Sequence, residues 1–362
     1  MNQDRLSRLM ENLPSLGCDA LLVTDEINVT YLTGFTGDSS SLLVRGDGAV
    51  MLTDGRYEEQ LHQECPGLPL VVKTPAQRPL DTFAETIGAA GEKRIAIEAG
   101  AMTVATFTAL KGVLPAMEWI STEGAVEELR MIKDADEIET LRRAVQINQR
   151  ALQSVLAQLS GGWTEREITL ELERAIRRLG GTGFSFEPII GAGPGGAKPH
   201  YESADVVIGD HASLLVDWGT KLGGYASDLT RTFHFGSPPD RFESAYQAVL
   251  DSQLAGIEAI RPGATGREVD AASRNVLKQA GLEDYFIHGL GHGVGLRIHE
   301  SPRLSSVSDD VLQPGMVITV EPGVYFAGEF GIRLEDDVLV TESGHEVLSD
   351  FPKGLDDCRV IL

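Results

Sequence analysis

Two acidic pairs set into apolar runs constrain this chain more than any other feature. In LLVDWGTKLGGYASDLTRTF, Asp217 closes one apolar run and Asp228 opens the next, with the turn-forming KLGG between them. A hairpin closing between Leu222 and Gly223 puts the two carboxylates directly opposite each other, with Cβ atoms roughly 5 Å apart. In VEPGVYFAGEFGIRLEDDV, Glu321 and Glu335 are symmetric about Gly328, inside the loop AGEFG, and face each other in the same way. Like charges at that spacing destabilise a sheet, and burying four unpaired carboxylates on apolar strands costs far more. Two divalent cations would supply a matching positive charge.

The ligand types narrow the metal. Carboxylate-rich sites suit Mn, Mg or Ca, and one imidazole moves the preference toward Mn, Fe, Co or Zn. HGLGHGVGLRIHE (288–300) offers that imidazole at His292, whose flanking glycines let the backbone approach a metal centre closely. A pair of ions roughly 3.5–4 Å apart activates a water and clamps a tetrahedral intermediate.

With 362 residues the chain has room for two domains. Short strand-like runs (19–25, 41–46, 49–54, 70–72 and 94–99) alternate with helical stretches through the first 120 residues, which predicts an α/β domain. A polar, acidic stretch follows, so the boundary is placed near residues 122–134, with domains over 1–125 and 135–362 and a linker at 126–134. A helical stripe runs from Ile138 to Val155, and further helices are predicted near 164–179, 240–259 and 266–280. Strand runs lie at 213–219, 227–235, 316–326 and 332–340.

Composition excludes some functions. Lys+Arg is 31 against Asp+Glu 54, a net charge of −23. That disfavours nucleic acid or an anionic membrane as partner, since both need clustered cations. Three widely spaced cysteines (Cys18, Cys65 and Cys358) fit a reducing compartment and no Cys-based zinc site. No signal-like N-terminus or 18-residue apolar run is present, so the expected location is the cytoplasm.

VDWG, SDLTRTF, GLGHGVGL–HE, EPGVY and IRLEDDVLV resemble the ordered signatures of the pita-bread metallopeptidases, the group of methionine aminopeptidase, aminopeptidase P and prolidase. NVTYLTGFTGDSS, LTDGRY and ELRMIKDADEIETLRRA resemble the leading domain and linker of the proline-specific branch. The resemblance covers nearly the whole chain. It implies a creatinase-like α/β N-terminal domain and an α+β pita-bread catalytic domain.

It also implies that Asp217, Asp228, His292, Glu321 and Glu335 hold two divalent ions, manganese being favoured over cobalt or zinc. Asp228 and Glu335 would bridge the pair, and Glu321 would shuttle the proton of the attacking water. His200 matches a histidine near the scissile carbonyl, and His299 one that stabilises the tetrahedral intermediate or orients substrate. Arg333, two residues before Glu335, shares its strand face and is placed to fix an acidic ligand. His288 is read as lying behind the ligands or beside substrate. The implied reaction is hydrolysis of an N-terminal Xaa-Pro bond by a homodimer acting on small peptides. Proline matters because its tertiary amide and fixed ring block general peptidases.

Of two specificities, hydrolysis of Xaa-Pro dipeptides is favoured over action on longer peptides. A dipeptidase must hold the free proline carboxylate, which favours an arginine clamp at Arg303, Arg45 or Arg56. An aminopeptidase acting on longer peptides must leave that side open. A non-catalytic peptide-binding module of the same fold, or a metal-free creatinase, is disfavoured because all five ligand positions are filled. His62, His211, His234 and His345 read as surface or structural. The Gly-rich loop 191–197 lacks GK[ST], and 289–295 lacks the strand–glycine–helix setting of a dinucleotide loop.

Overall fold

In the computed structural model, which describes residues 3–361, the strand signals of the first 122 residues assemble into one six-stranded sheet. Its order is Leu70–Lys73, Gly48–Asp54, Ser41–Arg45, Ala20–Val23, Arg94–Glu98, Glu118–Thr122. The three strands from Ala20 to Asp54 pair antiparallel and the outer pairings are parallel. Every residue of Ala20–Val23 is buried, which explains its unbroken apolar reading. Residues 26–33 are β-branched and aromatic in composition yet form a helix, Glu26–Thr33. The caps decide this. Asp25 accepts from the N–H groups of Ile27 and Asn28, and Gly34 ends the helix in the left-handed region at φ 82°.

The chain divides into two compact units, Met1–Arg130 and Met131–Leu362. In the second unit, capping boxes start three of the helices: Ala135–Leu156 after Asp134, Glu165–Arg178 after Thr164, and Gly266–Gln279 after Thr265. Together with Phe242–Glu258 they pack on the strands around one large apolar core that includes Trp218, Phe233, Phe242, Ile318 and Phe330. A four-stranded sheet runs Arg359–Val360, Leu229–Phe235, Ser213–Trp218, Ile189–Ala192. A five-stranded sheet runs Glu300–Leu304, Gly291–Gly293, Val317–Val320, Asp336–Val340, His345–Val347.

Two departures from the sequence reading decide where the carboxylates fall. The first hairpin is shifted: Asp217 stands opposite Thr230, not Asp228. Its turn closes on Gly223–Gly224, with φ of 56° and 88°, rather than on Leu222–Gly223. Two residues with φ > 0 make the tight connection whose twist suits a hairpin. Moving the midpoint by one residue moves every partner by two. Because two is a full side-chain period, Asp228 keeps its face.

The second departure is that 316–326 and 332–340 are not single strands. Val317–Val320 pairs with Asp336–Val340 in the five-stranded sheet, whereas Gly323–Phe326 pairs with Phe330–Arg333 in a separate two-stranded sheet. Pro322, which has no N–H to donate, lies at the break. Val320↔Asp336 and Gly323↔Arg333 share the midpoint Gly328. Glu321 and Glu335 thus occupy the gap where the ribbon leaves one sheet for the other.

Candidate metal centre

The four-stranded and five-stranded sheets meet at a backbone bridge, Thr230↔Glu335, where the Glu335 N–H donates to the Thr230 carbonyl at 3.1 Å. That contact brings the two acidic segments together. Asp228, His292 and Glu335 are all buried, and each offers a ligand atom within 4.8 Å of those of the other two. Glu321 reaches the same imidazole, with Oε1 3.3 Å from His292 Nε2, and Asp228 Oδ2 lies 3.7 Å from that nitrogen. Asp217 lines the same cavity, of about 920 Å³, as do His200, His288, His299, Arg303 and Arg333.

Hydrogen bonds hold these side chains in place. Thr230 Oγ1 donates to Glu335 Oε2 at 2.6 Å and accepts from Arg333 Nε at 3.1 Å. Arg333 also donates to Asp217 Oδ2 at 2.5 Å and to the Tyr325 hydroxyl at 2.8 Å. All three guanidinium nitrogens are therefore engaged by protein. Thr319 Oγ1 accepts from the His292 N–H at 3.0 Å and donates to Glu321 Oε1 at 3.2 Å. The Asp228 N–H donates to Asp337 Oδ2 at 3.0 Å.

The imidazole tautomer follows from its partner. His292 Nδ1 lies 3.1 Å from the Gly293 carbonyl, which can only accept, so Nδ1 carries the hydrogen. Nε2 then presents a lone pair to two carboxylates. That arrangement repels unless a proton or a cation lies between the three groups. His288 is held alike: Nδ1 meets the Gly289 carbonyl and Nε2 accepts from the Tyr325 hydroxyl, each at 2.8 Å.

The electrostatics carry the same message. Burial, then the charges of Glu335, Asp217, Asp337 and Glu321, push the Asp228 carboxyl well above the usual carboxylate range. Burial, then Glu321 and Asp217, raise Glu335 similarly. Burial also raises Asp217, against the pull of Arg333, and lifts Glu321 to about 7. Burial pushes His292 down to about 3 and His288 to about 4, so both imidazoles are neutral. Asp217 Oδ1 is buried without a hydrogen-bond partner. Crowded carboxylates, a neutral imidazole and an orphaned carboxylate oxygen form a donor set that fits divalent cations.

Glycines let the segments approach. A Cβ added at Gly291 would lie 2.1 Å from the Thr319 carbonyl oxygen, and one at Gly293 would lie 2.3 Å from that of Ser301. The His299 ring meets His292 edge to face, with centroids 4.4 Å apart. His200 is exposed and lines the same cavity from the segment 199–202. Of the three candidate clamps, Arg303 lines this cavity. In the first unit, Arg45 pairs with Glu92 and the Thr86 carbonyl, and Arg56 pairs with Asp54. Thr230, Thr319, Tyr325 and Asp337 were not singled out from sequence. Their placement depends on strands far apart in the chain, although the even spacing of Thr230 from Asp228 and of Thr319 from Glu321 marks a shared face.

A model of metallopeptidase family M24 matches residues 139–342, and one of the creatinase/prolidase N-terminal domain matches residues 5–132. An uncharacterized peptidase of Bacillus subtilis is 37% identical over 351 residues, which cover 97% of this chain and 99% of that one. The structure resembles an Xaa-Pro dipeptidase from Bacillus anthracis, with a TM-score of 0.93 and 37% identity over 99% of both chains. It also resembles an X-Pro aminopeptidase from Thermotoga maritima, with a TM-score of 0.88 and 30% identity, covering 98% of this chain and 100% of that one. Among the described residues no helix is long and apolar enough to cross a membrane.

Proposed function

Since the chain belongs to metallopeptidase family M24, we propose that it hydrolyses the bond between an N-terminal residue and a following proline, with Xaa-Pro dipeptides as favoured substrates. The observation that carries this reading is the make-up of the cavity. Its acidic wall holds Asp217, Asp228, Glu321 and Glu335, while Arg303 and His299 stand on the segment 298–305. The likeness to an Xaa-Pro dipeptidase supports the same choice.

Asp217, Asp228, His292, Glu321 and Glu335 would hold two divalent ions, manganese being favoured. Bound there, such ions polarise a carbonyl and make a water acidic. The chain's own groups do the rest. Glu321, with one oxygen tied to Thr319, takes the proton of the attacking water and returns it to the departing proline nitrogen. His299 donates toward the charge that develops on the scissile oxygen, and His200 orients that carbonyl from the lip. Arg333 keeps Asp217 in place, and His288, fixed by Tyr325, backs the same wall. Three buried, unpaired cysteines support a reducing location such as the cytoplasm. The expected homodimer is open to sedimentation analysis.

Two experiments test the reading. His299→Ala should lower kcat on Xaa-Pro by roughly 10²-fold with bound metal unchanged, as for other lost electrostatic stabilisers. An unchanged kcat would make the residue structural. Arg303→Ala should reduce kcat/KM for Ala-Pro by roughly 10–100-fold, because a charge-assisted bond to a carboxylate contributes about 1.5–3 kcal/mol. It should hardly affect Ala-Pro amide, which has no carboxylate to hold. If acid and amide fall together, or neither falls, the clamp is wrong. A wild-type enzyme that then prefers Ala-Pro-Ala to Ala-Pro would be an aminopeptidase of the kind the Thermotoga structure exemplifies.

A further inference from the structure

We propose that Arg231 is a positioning residue for the metal centre, setting the spacing of Asp228 and Glu335 by clamping the backbone bridge where the two sheets meet. The inference rests on the metal-centre reading above. Arg231 is fully buried, on the strand Leu229–Phe235. Alternation along that strand points Asp228 and Thr230 toward the cavity and Arg231 away from it. Arg231 therefore lies on the face away from the cavity and would act through the strands that carry the ligands.

Its contacts are concentrated on one place. Nη1 donates to the Thr230 carbonyl at 2.9 Å and to the Glu335 carbonyl at 2.6 Å. These are the two residues of the inter-sheet bridge, and the Thr230 carbonyl also accepts from the Glu335 N–H. Nη2 donates to Asp336 Oδ1 and to the Phe351 carbonyl, both at 2.7 Å, and Nε to the Pro352 carbonyl at 3.1 Å. Asp336 is held in turn by Ser349, Gln253 and Lys353. Every nitrogen of the guanidinium is thus spent on fixing Glu335, its neighbour and the segment behind it.

The reason such a clamp is needed lies on the other face. Asp228 and Glu335 repel each other across the cavity and would drift apart through their backbones before any cation arrived. Arg231 binds the two strands together on the face turned away from the cavity, where its charge is matched by Asp336. Asp337 adds a second tie, accepting the Asp228 N–H. A lysine has one nitrogen and no fork, so it cannot span both carbonyls and Asp336 at once.

The test separates spacing from mere stability. Arg231→Lys should weaken Mn²⁺ binding, measured by calorimetry on the metal-stripped protein at a temperature where circular dichroism shows full folding. The expected loss is roughly 10–100-fold, as for other groups that orient metal ligands. Excess Mn²⁺ should restore kcat with KM for Ala-Pro unchanged. Leu277→Ala, a core truncation on the helix Gly266–Gln279, provides the comparison: it should lower Tm and leave Mn²⁺ affinity as in wild type. Asp336→Asn, which keeps the shape and weakens one anchor, should shift affinity in the same direction by less, and it decides the matter if Arg231→Lys does not fold. Wild-type Mn²⁺ affinity in a folded Arg231→Lys protein, or in Asp336→Asn when the lysine variant is unfolded, would overturn the proposal. If wild type itself binds no Mn²⁺, the metal-centre reading fails instead.

Discussion

Asp228→Asn should lose at least roughly 10³-fold in kcat/KM on Xaa-Pro substrates, about 4 kcal/mol of transition-state stabilisation. It should do so while the metal-free protein becomes more resistant to heat. The two effects share a cause. Asp228 is the most crowded carboxylate of the cavity, facing Glu335, Asp217, Asp337 and Glu321. Asparagine has the same shape and no charge, so it relieves that crowding, and it also removes one of the proposed metal ligands. Elemental analysis should show lost metal, and a thermal scan of the stripped protein should show a higher Tm. An active variant with two ions still bound would refute the assignment of Asp228 as a shared ligand.

Metal-stripped protein should gain stability as pH falls from about 8 to about 6.5, and metal-loaded protein should not. The carboxyls of Asp228 and Glu335 are held well above their ordinary values, and Glu321 is held at about 7. A raised carboxyl takes up a proton in the folded chain that the unfolded chain, titrating near 4, does not. Folding is then favoured on acidification and disfavoured as pH rises through the folded value. Each such proton contributes about 1.4 kcal/mol per pH unit, which for a domain of this size is several degrees in Tm. Below about 6.5 the trend should flatten. His288 and His292 stay neutral in the folded chain but charge in the unfolded one near 6.5, which opposes folding. Bound cations replace the protons and remove the dependence. A stripped protein whose Tm is flat or falls over this interval would contradict the crowding inferred from the geometry.

Much of this site is legible in the sequence because carboxylates on apolar runs are conspicuous. Asp217, Asp228, Glu321 and Glu335 announce themselves by their surroundings, and His292 by its glycines. What is not legible is long-range. Arg231 and Asp336 are 105 positions apart, and neither has a local pattern that names the other. Arg231 reads as one more residue of a strand until the second sheet is in place. The transfer of 316–326 from one sheet to another leaves Pro322 as its only local mark. The shifted hairpin turned on which two of several small residues took the left-handed conformation, a choice that KLGGYAS leaves open. Helix Glu26–Thr33 escaped because its caps outweigh the strand-like composition between them.

The glycines beside His292 have a consequence for anyone wishing to retrain this enzyme on new peptides. A randomised library at 291 or 293 would consist almost wholly of dead clones. Any side chain at either place must displace main-chain oxygen atoms, from Thr319 or Ser301, and not merely a movable side chain. The segment thus has almost no neighbouring variants through which selection can move. Diversity is better placed at exposed lip positions such as Glu187, Glu202 and Arg303, which border the same cavity. The catalytic floor would stay as inherited, and new substrate ranges would be won at the rim.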